Sequence, residues 1–102
     1  MDYRTSKTFD WDEAKNAACF RLRGFDFDFA SRAFNDPEHF VTTDDRQTYG
    51  EQRLLLFGSI DGRLYVVVFT RRAHVIRIIS ARKANPREIR IHANRPKDHR
   101  HQ

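Results

Sequence analysis

The chain has 102 residues, with 19 Lys and Arg against 14 Asp and Glu, so its formal net charge is +5. This length predicts one domain with a modest core, over residues 1–94, followed by a polar tail over 95–102. The lone Cys19 excludes an internal disulfide and a multi-cysteine zinc site. The longest apolar run is too short to cross a membrane, and no signal pattern opens the chain. We therefore expect a soluble, cytoplasmic protein.

The charges divide unevenly between the two halves of the chain. Residues 1–51 hold 7 basic and 11 acidic side chains, a net of −4, whereas residues 52–102 hold 12 and 3, a net of +9. Of the 19 basic residues 15 are Arg, whose planar guanidinium binds phosphate through two parallel hydrogen bonds. The second half therefore favours a polyanion partner such as nucleic acid. The alternative is that these arginines only cover solvated strand and helix faces.

Helical patterns fill the first third of the chain. Asp10 and Glu13 have capping-box spacing and predict a helix from about Trp11 to Arg23, which Gly24 ends. A second, shorter helix is predicted between Asp26 and the Asn-Asp-Pro sequence that ends at residue 37.

The pattern then changes to a period of two, which indicates strands. Three strands are predicted, at Arg53 to Gly58, Arg63 to Thr70 and Val75 to Ser80. Their short connections allow only antiparallel neighbours. The sequence Asn85-Pro-Arg-Glu88 then predicts the start of a C-terminal helix that ends near Asn94. The expected fold class is α+β, with two N-terminal helices packed on an antiparallel sheet and a C-terminal helix.

Arg77 stands inside the apolar run of the third predicted strand. Val66, Val68, Ile76 and Ile78 are expected to face the N-terminal helices, and Arg77 is expected to face the other side. A guanidinium in such a run needs a carboxylate partner or an opening to a cleft. The sequence leaves both alternatives open.

Several cations gather where the third strand meets the last helix. Arg82 and Lys83 lie in the connecting segment, and Arg87 follows at the start of the helix. Together with Arg77, they are expected to point into one solvent-open hollow that binds a phosphodiester and stabilises the charge that develops when a 2′-hydroxyl attacks phosphorus. Glu88 is a candidate base for the hydroxyl proton. Its alternative role is the capping box of the helix, or an ion pair with Arg87 or Arg90.

Histidines and cofactor motifs add little. His74 lies in the turn before the third strand, where it is either a proton-transfer group or an inert surface residue. We expect no metal, because the histidines of the last helix and tail lack a third ligand at suitable spacing. We expect no cofactor either, because no Gly-rich phosphate loop is present.

The chain resembles the BrnT toxins of type II toxin–antitoxin modules over roughly residues 9 to 92. The resemblance rests on Phe9-Asp-Trp-Asp-Glu-Ala-Lys-Asn-Ala-Ala18, Gly24 with Phe27, Ala33-Phe-Asn-Asp-Pro37, Tyr49-Gly-Glu-Gln-Arg53, and Ile76-Arg-Ile-Ile-Ser-Ala-Arg-Lys-Ala84 with Arg87-Glu88. It implies a RelE-like fold and a metal-independent ribonuclease that stops growth by cutting RNA. It also implies a DNA-binding antitoxin of the BrnA type, which forms a 2:2 heterotetramer with the toxin on operator DNA and represses their operon.

The residues characteristic of the family match a defined set of positions here. They are Trp11, Lys15, Arg77, Arg82 and Glu88, with Lys83 and Arg87 as neighbouring cations. Two departures stand out: the usual Lys-His pair at the end of the first helix is Leu22-Arg23, and a usual Tyr falls near His92.

Three functions remain open for this set of residues. The preferred one is RNA cleavage, with Arg77, Arg82, Glu88 and Lys15 in the chemistry and Lys83, Arg87, Trp11 and His74 in RNA binding. The same cations would also suit a non-catalytic binding module in a repressor complex, or a docking site for an acidic antitoxin segment. Trp11 is either a packing residue or a platform for a base.

Overall fold

The computed structural model describes residues 8–44 and 50–96. The strands are β1 (Thr8–Trp11), β2 (Phe40–Asp44), β3 (Arg53–Ile60), β4 (Arg63–Arg72) and β5 (Val75–Lys83). The helices are α1 (Glu13–Arg23), α2 (Phe27–Ala30) and α3 (Pro86–Asn94), and a 3-10 helix covers Ser31–Asn35. The expected α+β class is confirmed. Within the described ranges, no helix is long and apolar enough to span a membrane.

The sheet has five strands in the order β1-β5-β4-β3-β2. Four of them pair antiparallel, but β1 pairs parallel to β5, so the sheet is mixed and the expectation of a purely antiparallel sheet is wrong. The two outer strands, β1 and β2, are not among the three predicted ones. Both are short and partly exposed, so their sequences alternate only weakly.

The first helix begins two residues later than predicted. Asp12, not Asp10, is the N-cap, and its carboxylate accepts a hydrogen bond of 2.8 Å from the amide of Ala14. Asp10 and Trp11 belong to β1, where pairing with β5 outweighs the local capping pattern. Gly24 ends the helix in the left-handed conformation, as predicted.

The second helix is one α-helical turn followed by the 3-10 helix. Asp26 caps it through a hydrogen bond of 2.9 Å from the amide of Phe29, and the helical segment ends at Asn35, as predicted. The 3-10 helix lies against β3, and a Cβ placed at Gly58 would stand 2.4 Å from the carbonyl oxygen of Ala33. Only glycine therefore allows this contact.

One face of the sheet, which we call the α1 face, packs against α1, α2 and the 3-10 helix. Its largest buried side chains are Phe27, Phe34, Leu56, Phe69, Ile76 and Ile78. The opposite face, which we call the α3 face, carries a smaller cluster around Leu64, Val66 and Ala84. The C-terminal helix lies on that face.

The register of the β4–β5 hairpin decides which residues reach each face. Phe69 pairs with Ile78, so Tyr65, Val67 and Phe69 join the α1 face together with Ile76 and Ile78. The expectation that Val66 and Val68 face the helices is therefore wrong. The reason is the pairing itself: β4 and β5 are joined by two residues, Ala73 and His74, and Arg72 pairs with Val75, so up to Phe69 the odd-numbered residues of β4 share a face with the even-numbered residues of β5.

The C-terminal helix is as predicted. Asn85 and Glu88 form a reciprocal capping box, Pro86 occupies the first turn, and the helix ends at Asn94. The start of this helix depends on a capping box and a proline, which are local features that can be recognised in the sequence.

Candidate active site

Four side chains form a row across the α3 face. Phe40 pairs with Phe57, Phe57 with Val66, and Val66 with Arg82. Directly paired residues of antiparallel strands point to the same face, so these side chains are neighbours although they come from four strands. The row brings the guanidinium of Arg82 to the same surface as two aromatic rings.

Arg82 is bound by Glu88 of α3. Its Nη1 and Nη2 atoms donate hydrogen bonds of 2.8 Å to Oε1 and Oε2 of the carboxylate. The amide of Asn85 donates a third bond, of 2.9 Å, to Oε1. These donors, Arg82 first, lower the pKa of Glu88 against the opposing effect of burial, so the carboxylate is ionised at neutral pH. Arg82 is 40% exposed, so its outer surface faces solvent.

A second group of charges lies near the opposite end of β5. Arg77 contacts its parallel partner Asp10 at 2.9 Å. Nearby, Arg72 donates two hydrogen bonds, of 2.7 and 3.1 Å, to Glu51, and this contact lowers the pKa of Glu51. Arg77 also adds to that lowering through its charge, so the two ion pairs are close neighbours. Of the two alternatives for Arg77, the structure therefore shows the carboxylate partner.

A β-bulge places Arg77 and Arg82 on the same face. Arg77 pairs with Thr70, but Ser80 rather than Ile79 pairs with Val68, so one extra residue enters β5. Without it, residues five apart would point to opposite faces. Along the strand the two arginines are still roughly 15 Å apart. The sequence led us to expect that the two arginines share one hollow. That expectation is wrong, because they lie apart and each is paired with its own acid.

Three predicted site residues lie on the α1 side of the sheet. The Trp11 ring packs edge-on against Phe27 at 6.1 Å, and its Nε1 donates to Glu13 at 3.0 Å. Lys83 pairs with Tyr65, a residue of the α1 face, and Lys15 is an exposed residue of α1. The structure therefore does not bring these side chains together with Arg77 or Arg82.

The remaining two predicted residues are exposed. His74 lies in the β4–β5 turn, at the Arg77 end of β5, and Arg87 lies next to Glu88 in the first turn of α3. In the described part of the chain, no group of three or more His, Cys, Asp or Glu side chains has a geometry that could hold a metal ion.

A hollow beside the Arg82–Glu88 pair was not foreseen from the sequence. It has a volume of about 200 Å³ and lies between β2, β3 and α3, with walls formed by Phe40, Phe57, Glu88, Ile91, His92 and Arg95. The available signal was the short β-favouring run Phe-Val-Thr-Thr at residues 40–43, which forms the edge strand β2.

No curated protein matches the chain. The family described as "Ribonuclease toxin, BrnT, of type II toxin-antitoxin system" matches residues 11–88, a span that includes β1, β5 and the Arg82–Glu88 pair. The chain therefore belongs to the BrnT family of ribonuclease toxins, whose substrate is RNA and whose partner is an antitoxin.

Proposed function

We propose that the protein is a metal-independent endoribonuclease that cleaves RNA through attack of a 2′-hydroxyl on the adjacent phosphate. In this reaction the 2′-oxygen bonds to phosphorus, the bond from phosphorus to the 5′-oxygen breaks, and a proton passes from the nucleophile to a base while the leaving oxygen gains one. The products are a 2′,3′-cyclic phosphate and a 5′-hydroxyl. The observation that carries this proposal is the two-point Arg82–Glu88 pair on the exposed α3 face.

Arg82 is the proposed phosphate ligand. Its planar fork already binds two oxygen atoms of a carboxylate, and two phosphate oxygens present the same acceptor geometry. A guanidinium in this position stabilises the negative charge that develops as phosphorus gains a fifth oxygen. The exposed Arg87 adds a second positive charge close by.

Glu88 orients Arg82 in this mechanism. A carboxylate whose pKa is lowered by an arginine is a weak base, and two of its acceptor positions are filled by Arg82 while Asn85 donates to it as well. His92 lies four residues further along α3, on the same side of the helix, and is the proposed proton-transfer group once its Nε2 atom releases the contact of 3.2 Å with Nη1 of Arg95. It stands near the position where the family usually has a Tyr.

Arg77 is proposed to bind the RNA backbone at a distance from the cleaved bond. Its separation of roughly 15 Å from Arg82 fits a contact with another phosphate further along the same extended strand. His74, at the same end of β5, would extend this contact. Lys15, Lys83 and Trp11 would reach RNA only if the strand passes around an edge of the sheet.

The proposal extends to regulation. A DNA-binding antitoxin of the BrnA type neutralises the toxin in a 2:2 complex, and the complex represses its own operon on operator DNA. Family membership supports the antitoxin partner.

A second candidate function is a non-catalytic module that contacts nucleic acid within a repressor complex. The hold of Arg82 on Glu88 favours it, because a carboxylate whose pKa is lowered in this way is a weak base, and contact with phosphate needs no base.

Incubation of the purified chain with RNA in the presence of EDTA separates the two functions. Fragments that end in a cyclic phosphate support the nuclease. Intact RNA that remains bound to the protein supports the module. A parallel reaction with added Mg²⁺ instead of EDTA tests metal independence, because the proposed mechanism requires that cleavage proceed in EDTA, whereas cleavage seen only with Mg²⁺ would contradict it.

A further inference from the structure

The hollow between β2, β3 and α3 is built from aromatic rings. Phe57 stacks on the imidazole of His92 with planes 22° apart and centroids 6.4 Å apart. Phe40 lies beside Phe57, at 6.5 Å between centroids, and remains 44% exposed. The hollow therefore offers an accessible ring face in nearly apolar surroundings.

A guanidinium adjoins the same rings. Arg95 lies over the Phe40 ring at 5.7 Å, and it donates to the carbonyl oxygens of His92 and Glu38 at 2.8 and 2.7 Å. These bonds fix Arg95 between the end of α3 and the segment before β2. Aromatic rings and arginine planes are the surfaces on which unstacked RNA bases are held.

The hollow adjoins the proposed phosphate site. Glu88 lines the hollow and binds Arg82 at 2.8 Å, and Phe40, Phe57 and Arg82 belong to one row across the sheet. Within a nucleotide, base and phosphate are joined through a single sugar. At about 4.8 Å per strand, the backbone of Arg82 lies about 10 Å from that of Phe57 and about 14 Å from that of Phe40. Because the Arg82 side chain reaches Glu88 at the wall of the hollow, a phosphate on Arg82 has the base of an adjoining nucleotide within reach of the aromatic walls.

The size of the hollow limits what it can hold. A volume of about 200 Å³ is below the range of about 300 Å³ or more that is typical of sites for drug-sized ligands. An amphipathic helix from a partner protein needs a longer groove, because it docks through several side chains spaced along its face. A single ring system fits these dimensions.

We propose that this hollow binds one unstacked nucleobase of the RNA substrate, next to the phosphate held by Arg82. The inference rests on the proposed function, since it names the part of the substrate that the same site holds. Phe40 supplies the exposed ring face, and His92 with Phe57 forms the wall behind it. The base subsite would position the adjoining phosphodiester for attack.

The test measures binding of a fluorescent 2′-O-methyl oligoribonucleotide of about 12 nucleotides, which lacks the nucleophile and so stays intact. Phe40→Leu keeps apolar bulk without the ring, and Phe40→Ala removes both. We expect each variant to bind about ten-fold more weakly than the wild type, in the range measured for loss of one stacked base. The matched control is Phe20→Ala, because Phe20 is a 60% exposed ring on α1. It should bind like the wild type.

The second arm of the test measures binding of an abasic oligomer of the same length, which has the sugar-phosphate backbone but no bases. Wild type and both Phe40 variants should bind it equally, because only the backbone contacts remain. An equal loss on this oligomer would overturn the inference, as would unchanged binding of the normal oligomer by Phe40→Leu. A Phe40 variant that loses antitoxin affinity but keeps RNA affinity would also overturn it and would assign the hollow to the protein partner.

Cleavage of unmodified RNA keeps the two proposals apart. If the wild type cuts RNA in EDTA and the Phe40 variants bind normally, only the base subsite fails. If the wild type cuts no RNA, the proposed function fails, and the binding comparison still decides the subsite.

Discussion

Arg82 and Glu88 hold each other through two hydrogen bonds of 2.8 Å, and this pair joins the end of β5 to the first turn of α3. The same carboxylate accepts from the amide of Asn85 as part of the helix cap. A local device that starts a helix therefore also fixes the orientation of a guanidinium on the α3 face. The consequences of this arrangement can be tested one residue at a time.

Arg82→Ala should slow RNA cleavage by about 100-fold or more at saturating RNA, because the charge that forms on phosphorus loses its main donor. Arg82→Lys keeps a positive charge without the two-point geometry and should recover only part of the rate. Initial cleavage rates measure both, with Arg21→Ala, an exposed arginine of α1, as the control. Wild-type rates in Arg82→Ala would remove this residue from the mechanism.

The Glu88 carboxylate should make stability depend on pH. Its folded-state pKa lies below its ordinary value of 4.5 because Arg82 donates to it, so its contribution is complete above the unfolded pKa and is lost as pH falls through the folded pKa. Glu88→Gln should cost up to about 1 kcal/mol of unfolding free energy at neutral pH. Because Gln still suits the capping position, the helix should persist.

Urea unfolding of wild type and Glu88→Gln across the acidic range measures this difference. We expect the gap between the two proteins to be largest at neutral pH, to begin to narrow near the ordinary carboxyl pKa of 4.5, and to close as the pH falls through the lower folded-state pKa of Glu88. A gap that stays constant down to acidic pH would show that the ion pair with Arg82 does not stabilise the fold.

Arg77→Ala should weaken RNA binding more than it slows the chemical step, because Arg77 lies roughly 15 Å from Arg82 along β5. The KM should rise. The slope of log affinity against log salt concentration should fall in magnitude by about one, because one phosphate contact is lost. Rates measured over a range of RNA concentrations separate the two effects. A fall in kcat as large as that of Arg82→Ala would instead place both arginines at one reaction centre.

The parts of the fold that were predicted correctly have local causes. The helix from Pro86 to Asn94 follows from its capping box, and the turn at Asp61-Gly62 follows from residues that adopt positive φ. The parallel strand β1 was missed because only β5, far along the chain, makes it a strand. Local sequence does not state such pairings.

The site was predicted in composition but not in geometry. Arg82 and Glu88 were both named from the cluster of charges, but their contact was not predicted, because the alternatives for Glu88 were the capping box or a pair with Arg87 or Arg90. The bulge at Ile79, which turns Arg82 to the same face as Arg77, leaves no clear mark in an apolar run. The role of Phe40 depends on Phe57 and His92, which approach it from distant segments.

Gly58→Ala should destabilise the fold by about 1 to 3 kcal/mol, because a Cβ at this position would stand 2.4 Å from the carbonyl oxygen of Ala33. The backbone of β3 or of the 3-10 helix must then shift. The neighbouring Ser59→Ala is the control, since the bond from its amide to Asp36 involves only the backbone of Ser59. Urea midpoints compare the variants. An unchanged urea midpoint for Gly58→Ala would mean that the backbone around Ala33 shifts to admit the Cβ without loss of stability.

Trp11 should act on stability rather than on RNA. Its ring packs on Phe27 at the α1 face, and its Nε1 donates to Glu13. Trp11→Ala should therefore lower the unfolding free energy by about 2 kcal/mol, which is less than the loss for a fully buried tryptophan. Trp11→Phe keeps the ring packing and should cost about half as much. Under conditions where each variant is folded, both should bind the oligoribonucleotide like the wild type. Weaker RNA binding by Trp11→Phe, with unchanged unfolding, would instead show that the indole contacts a base, because packing alone cannot separate those two measurements.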